Sequence, residues 1–118
     1  MGGNHKEKAL FQVASLENAQ QLKELKMSSE ELTSLEGVES FSNVEEGALQ
    51  FNRLVRVEGL KACSRLIQLN LSYNRIRDVS ALAHLEWLRV LSVEHNQITA
   101  LELACPSLEI VSASHNRI

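Results

Sequence analysis

The chain has 118 residues and a formal net charge of −3, with 44% hydrophobic and 23% charged residues. That composition fits one small globular or solenoid domain and excludes a disordered or fibrous chain. Its apolar runs are only a few residues long, far short of the roughly 20 needed to span a bilayer, and its acidic balance argues against a direct reader of nucleic-acid phosphates.

No signal-peptide core follows Met1, so a cytosolic or nuclear home is the default expectation. Met1-Gly2 suggests N-myristoylation, but that motif asks for Ser or Thr at the sixth position, where Lys6 stands. Over 1–21 an apolar residue recurs at every third position, as Leu10, Val13, Leu16 and Ala19, running on to Leu22. This stretch reads as an N-terminal cap or half repeat.

From Leu22 the segment LKELKMSSEEL opens a unit over 22–43, with Leu25, Met27 and Leu32 in frame and Glu30 where later units carry asparagine. Its second half keeps the spacing of three through Leu35, Val38, Phe41 and Val44. The unit over 44–65 starts as VEEGALQFNRL, placing Leu49, Asn52 and Leu54, and continues through Val57, Leu60 and Cys63. The unit over 66–87 is the clearest: LIQLNLSYNRI fits LxxLxLxxNxI, followed by Val79, Leu82 and Leu85. It returns 22 residues later as LRVLSVEHNQI, opening a unit over 88–107. Asn116 then follows Asn96 by only 20 residues, which places a two-residue loss near Cys105-Pro106 and leaves 108–118 as a truncated last repeat.

A period of 22 with this consensus resembles leucine-rich repeats, and specifically the class named after the nuclear regulatory subunit of protein phosphatase 1. The resemblance runs from about Leu10 to Ile118 and implies an α/β solenoid of about four to five repeats. In such a fold a curved parallel sheet forms the concave side, and 3₁₀ or short helices form the convex side. One unit cannot close its own core, so neighbours stack and stability sums over units and interfaces. The every-third apolar spacing suits 3₁₀ turns, where side chains at i and i+3 nearly eclipse. At the exit from each strand, backbone groups turn inward without ladder partners, and an asparagine can satisfy them with its donors and its acceptor. Asn52, Asn74, Asn96 and Asn116 are the expected rungs. Bacterial internalins share the repeat length, but the proline and Thr-Asn pair usual in their repeats are missing here, which points to a eukaryotic intracellular protein.

Side chains alternate along a strand, so the residues between the leucines form surface columns with steps of about 4.8 Å. One column reads Glu24, Glu46, Gln68, Val90, Ile110; the next reads Lys26, Ala48, Asn70, Ser92, Ser112. Then come Ser28, Gln50, Ser72, Glu94, Ser114 and, along one edge, Ser29, Phe51, Tyr73, His95, His115. A line of exposed rings suits the hot spot of a protein partner; in a second reading, the rings shield the asparagine ladder. The candidate protein-binding residues are Glu46, Phe51, Gln68, Asn70, Tyr73, Val90, Glu94, His95, Ser112 and His115. Arg53, Arg75 and Arg117 each follow an asparagine, with Arg56 and Arg77 nearby, so a basic strip along the turn edge could meet an acidic partner segment. Trp87, beside Leu88 on the convex side, is expected to pack against a neighbouring unit.

No catalytic constellation appears: there is no GxSxG, no HExxH and no glycine-rich phosphate loop. Cys63 and Cys105 lack the spacing of a metal site, and Cys63 occupies the core slot of Phe41 and Leu85. His95 and His115 sit in equivalent slots, yet the register adds no further ligand except Glu94. No catalytic residue, metal or cofactor is assigned. The expected function is protein binding on the concave face, as a regulatory, targeting or scaffold domain without enzymatic activity. The alternative is a structural segment of a cytoskeletal, ciliary or ribonucleoprotein scaffold. Leu108, Val111 and Ile118 would form an uncovered apolar edge, which suggests a piece of a longer protein or a dimer through that end.

Overall fold

The computed structural model describes residues 6–118, so the myristoylation motif at Met1-Gly2 lies outside the described residues. Five short strands, β1 Glu24–Lys26, β2 Glu46–Ala48, β3 Gln68–Asn70, β4 Val90–Ser92 and β5 Ile110–Ser112, pair in parallel in the order of the sequence. The register advances by 22 residues at each of the first three pairings, from Glu24 to Glu46 to Gln68 to Val90, and by 20 at the last, from Val90 to Ile110. Opposite the sheet run the 3₁₀ helices η1 Leu10–Gln12, η2 Ala19–Gln21, η3 Val38–Phe41, η4 Glu58–Ala62 and η5 Ser80–Leu82. The result is a curved slab of 45 × 36 × 18 Å.

The core lies between the two layers. Leu49, Leu71 and Val93 are fully buried, as are Leu32, Leu54, Ile76 and Ile98, two residues past Glu30 and the asparagines that take its place in later units. From the convex side Val38, Phe41, Leu60, Cys63, Leu82 and Leu85 meet them. Gly47 takes the strand-centre slot that Leu25, Leu69 and Leu91 fill elsewhere, and Leu69 covers it: a Cβ at Gly47 would stand 3.0 Å from Leu69 Cδ1.

At the N-terminal edge the spacing of three does not carry through. Leu16 and Leu22 are exposed, Val13 is half-buried, and the residues turned inward are Ala9, Leu10, Ala14 and Ala19. The segment slips along its neighbour: Ala9 bridges Ser34, Leu10 N–H donates to Ser34 O and Phe11 N–H to Glu36 O. Among the described residues no unit covers the outer side of Leu16 and Leu22. Gly37 accommodates the closeness, with φ of 101° and an imagined Cβ 2.7 Å from Phe11 Cβ.

The two-residue loss lies upstream of Cys105-Pro106. Leu108 N–H donates to Cys105 O as Leu66 N–H does to Cys63 O, so the spacing after Cys105 is intact. The shortening falls between Ile98 and Cys105, where the fourth unit has no 3₁₀ helix. Cys105 thereby takes the same slot as Phe41, Cys63 and Leu85, and its thiol donates to Leu82 O as that of Cys63 does to Val38 O. Both thiols are free and buried, and desolvation, aided by the charge of Glu39, pushes the Cys63 thiol up to about 11.

Candidate interaction surface

The asparagines sit where each strand ends. Asn74 Oδ1 accepts from Leu54 N–H at 2.9 Å, and its Nδ2 donates to Leu49 O and Leu71 O at 3.0 Å each. Asn96 accepts from Ile76 N–H and donates to Leu71 O and Val93 O. Asn116 accepts from Ile98 N–H and donates to Val93 O and Ala113 O. Every rung therefore joins its own unit to the one before. Asn52 bonds most widely: its Oδ1 accepts from both Glu30 N–H and Leu32 N–H, and its Nδ2 donates to Met27 O and Leu49 O. Glu30, at the asparagine position of the first unit, is thus served by the rung of the second.

Turning an asparagine inward fixes the residue before it. Ser29, Phe51, Tyr73, His95 and His115 all have left-handed backbone, with φ from 55° to 59°. The costs of that conformation fall on residues with a Cβ. In return the rings stand outward and stack face to face: Phe51 on Tyr73 at 4.5 Å, Tyr73 on His95 at 4.3 Å, and His95 on His115 at 4.1 Å between centroids. The interplanar angles are 14°, 12° and 10°. Phe51, Tyr73 and His115 are exposed and His95 is half-buried. This four-ring stack borders the concave sheet as a rim. The same twist tucks Ser72 beneath it: Ser72 is buried, its Oγ accepting from Glu94 N–H, so that column is not the open polar surface the alternation suggests.

On the sheet itself Glu46 and Gln68 are exposed, while Ala48, Asn70, Val90, Ser92 and Ser112 are half-buried. All of these but Ser112, with Lys26, line a shallow depression of about 210 Å³. Asn70 Oδ1 accepts from Ser72 N–H at 3.0 Å, which fixes the amide at its margin. Glu94 is half-buried between the depression and the rings. The surface grades from Glu24 and Glu46 at one end to exposed Ile110 at the other.

The arginines lie beyond the rings. Arg53, Arg56, Arg75, Arg77 and Arg117 are all exposed. Arg53 Nη2 donates to Glu31 Oε2 at 3.1 Å and Arg77 Nε to Gln97 Oε1 at 3.3 Å. On the opposite flank Arg89 pairs with Glu109 at 2.8 Å, which lowers the Glu109 carboxyl pKa. Trp87 is left largely open, 55% exposed, and with Arg65 it lines two depressions on that flank. Its column continues as Arg65 and Ser107, both polar. Among the described residues no three of His, Cys, Asp and Glu come together as a metal site.

Residues 42–98 match the leucine-rich repeat family model. No curated protein matches the chain in sequence. An internalin from Listeria monocytogenes is similar in structure with a TM-score of 0.73 at 18% identity, over 89% of this chain and 38% of that one. The functional domain of InlJ from Listeria monocytogenes, described as including a cysteine ladder, gives 0.76 at 19% identity over 86% and 22%. The leucine-rich repeat domain of APL1B gives 0.60 at 24% identity over 86% and 36%. The chain thus spans well under half the length of these three structures, and the likeness is one of fold. Residues 42–98 resemble leucine-rich repeats in sequence, and the fold of the described chain is that of a leucine-rich repeat solenoid.

Proposed function

We propose that this solenoid is a protein-recognition module of the 22-residue class whose partner lies on the concave face, against the rim of stacked rings. The observation that carries the reading is the depression on the sheet beside a four-ring stack of which three rings are exposed, its rim built from side chains that the core does not use. Solenoids of this kind generally use the extended concave surface that their curvature creates, and aromatic residues are enriched where protein partners bind. The residues assigned to contact are Glu46, Gln68, Asn70, Val90, Glu94 and Ser112 on the sheet, with Phe51, Tyr73, His95 and His115 at the rim. The reading holds the module to be a non-enzymatic regulatory, targeting or scaffold domain inside the cell. The two free buried thiols support that location.

The test is affinity purification with the native chain, the double variant Ala48→Leu with Val90→Asn, and Trp87→Ala on the convex flank. Partners captured by the native chain and by Trp87→Ala, but lost with the concave double variant, bear the reading out. Partners that survive the double variant and disappear with Trp87→Ala place recognition on the other side.

A second reading rests on the β5 edge, where Ile110, Val111 and Ile118 are 54%, 37% and 67% exposed. In it the segment stacks on a further unit or a second copy and serves as part of a scaffold. A monomer at high concentration in sedimentation velocity removes the second copy.

A further inference from the structure

We propose that the groove between the N-terminal segment and the arginine strip binds an extended acidic peptide segment, at a site separate from the concave face. Lys6 and Glu7 form one wall, and the segment is held by the next residue, with Lys8 N–H donating to Thr33 Oγ1 at 2.7 Å and Thr33 N–H donating to Lys8 O at 2.9 Å. Arg53, Arg56 and Arg75 form the other, and about 620 Å³ of open groove lies between them. Backbone bonds set the positions of two of these arginines: Arg53 N–H donates to Leu32 O and Arg75 N–H to Leu54 O, both at 2.8 Å. The backbones of the two arginines are thereby repeated in adjacent units at the strand spacing of about 4.8 Å.

The charge of the groove runs against that of the molecule. The whole chain carries −3, yet here Lys6, Arg53, Arg56 and Arg75 face a single carboxylate, Glu7, already engaged by Thr33 Oγ1 at 3.1 Å. Glu31 at the margin takes up one side of Arg53. Arg56 and Arg75 have no ion-pair partner among the described residues. Guanidinium groups bind carboxylates in planar, bidentate pairs. The same groove presents Val55, 45% exposed, and the edge of Leu35 to an aliphatic side chain. Carboxylates with an interspersed aliphatic residue fit that lining. A nucleic-acid strand fits it poorly, because the acidic remainder of the surface repels a long polyanion.

The experiment is fluorescence anisotropy on the full chain with a fluorescein-labelled peptide of about ten residues, rich in Glu and Asp around a central leucine. Binding is expected to saturate, to weaken with added salt, and to fall about tenfold or more with Arg56→Glu plus Arg75→Glu. Arg56→Gln plus Arg75→Gln is the second variant, used where the reversal disturbs the far-ultraviolet circular dichroism. Arg65→Glu on the opposite flank, and the concave double variant, leave binding unchanged. The proposal is overturned by a flat titration, by equal loss with Arg65→Glu, by retention in both arginine pairs, or by tighter binding of a labelled oligo-dT. Loss in the concave double variant alone moves the peptide to the concave face.

Discussion

Removing one rung of the asparagine ladder should cost unequal amounts at different heights, in an order set by shared acceptors. In Asn74→Ala, Leu49 O still receives Asn52 Nδ2 and Leu71 O still receives Asn96 Nδ2. Only Leu54 N–H is left without a partner, and a buried unsatisfied donor costs about 1–3 kcal/mol. In Asn52→Ala, both Leu32 N–H and Met27 O lose the partner they had, and Glu30 N–H is freed as well. The cost there should reach about 3–5 kcal/mol, close to twice that at Asn74. Asn116 is half-buried, so water replaces it and the loss stays near 1 kcal/mol. Urea denaturation at 25 °C, followed by circular dichroism, reads these values. Equal costs at Asn52 and Asn74, or a larger one at Asn74, would refute the shared-acceptor argument.

Tyr73→Ala removes two stacked pairs at 4.5 and 4.3 Å, at about 0.5–1.5 kcal/mol each. Tyr73→Gly should recover about 1 kcal/mol of that, because φ is 59° there; chemical denaturation of the two variants separates stacking from backbone strain. Gly37→Ala forces a Cβ to 2.7 Å from Phe11 Cβ at a φ of 101°. It should cost about 2 kcal/mol and speed hydrogen exchange at Leu10 and Phe11 first. Burial raises the Cys63 thiol to about 11, so the folded state favours the protonated form. Stability is whole below the unfolded value of about 8.5 and falls by roughly 3 kcal/mol as pH rises through 11; Cys63→Val should lack that part of the slope. Trp87→Ala should change stability by less than about 0.5 kcal/mol in thermal melts, because the indole is 55% exposed.

What could be read from the sequence is what a period can carry. The pairing of Glu46 with Gln68, and of Gln68 with Val90, follows from counting by 22, because each of those strands has a neighbour on both sides that enforces the count. Leu16 and Leu22 fit the same count and are nevertheless exposed, because the segment pairs with its neighbour through Ala9 and Leu10 at Ser34 and not in the frame of the later units. The loss of two residues was visible as Asn116 arriving early, but its place was not. Only the intact spacing from Cys105 to Leu108 shows that the convex helix absorbed it. The expectation for Trp87 rests on its place beside Leu88 on the convex side, and the polarity of Arg65 and Ser107 in its own column is the signal for its exposure.

The ring column shows why the surface could be read only in part. Simple alternation puts Ser72 outward and says nothing of backbone sign at Tyr73, since Phe, Tyr and His are not residues that favour positive φ. Yet the asparagine one step later must aim both ends of its amide at buried backbone groups, and the left-handed turn before it makes that possible. The sheet ladder continues through the turn, with Phe51 N–H donating to Ser72 O and Tyr73 N–H to Glu94 O, so the conformation repeats from unit to unit. Once repeated, it sets ring above ring at 4.1–4.5 Å, and stacking offsets part of the strain. The shielding and recognition readings of this column are therefore not rivals. The same geometry that covers the ladder leaves outer faces and edges of the rings toward solvent, beside the depression at Ala48 and Val90. A substitution there will be informative about binding only when its effect on stability has been measured first.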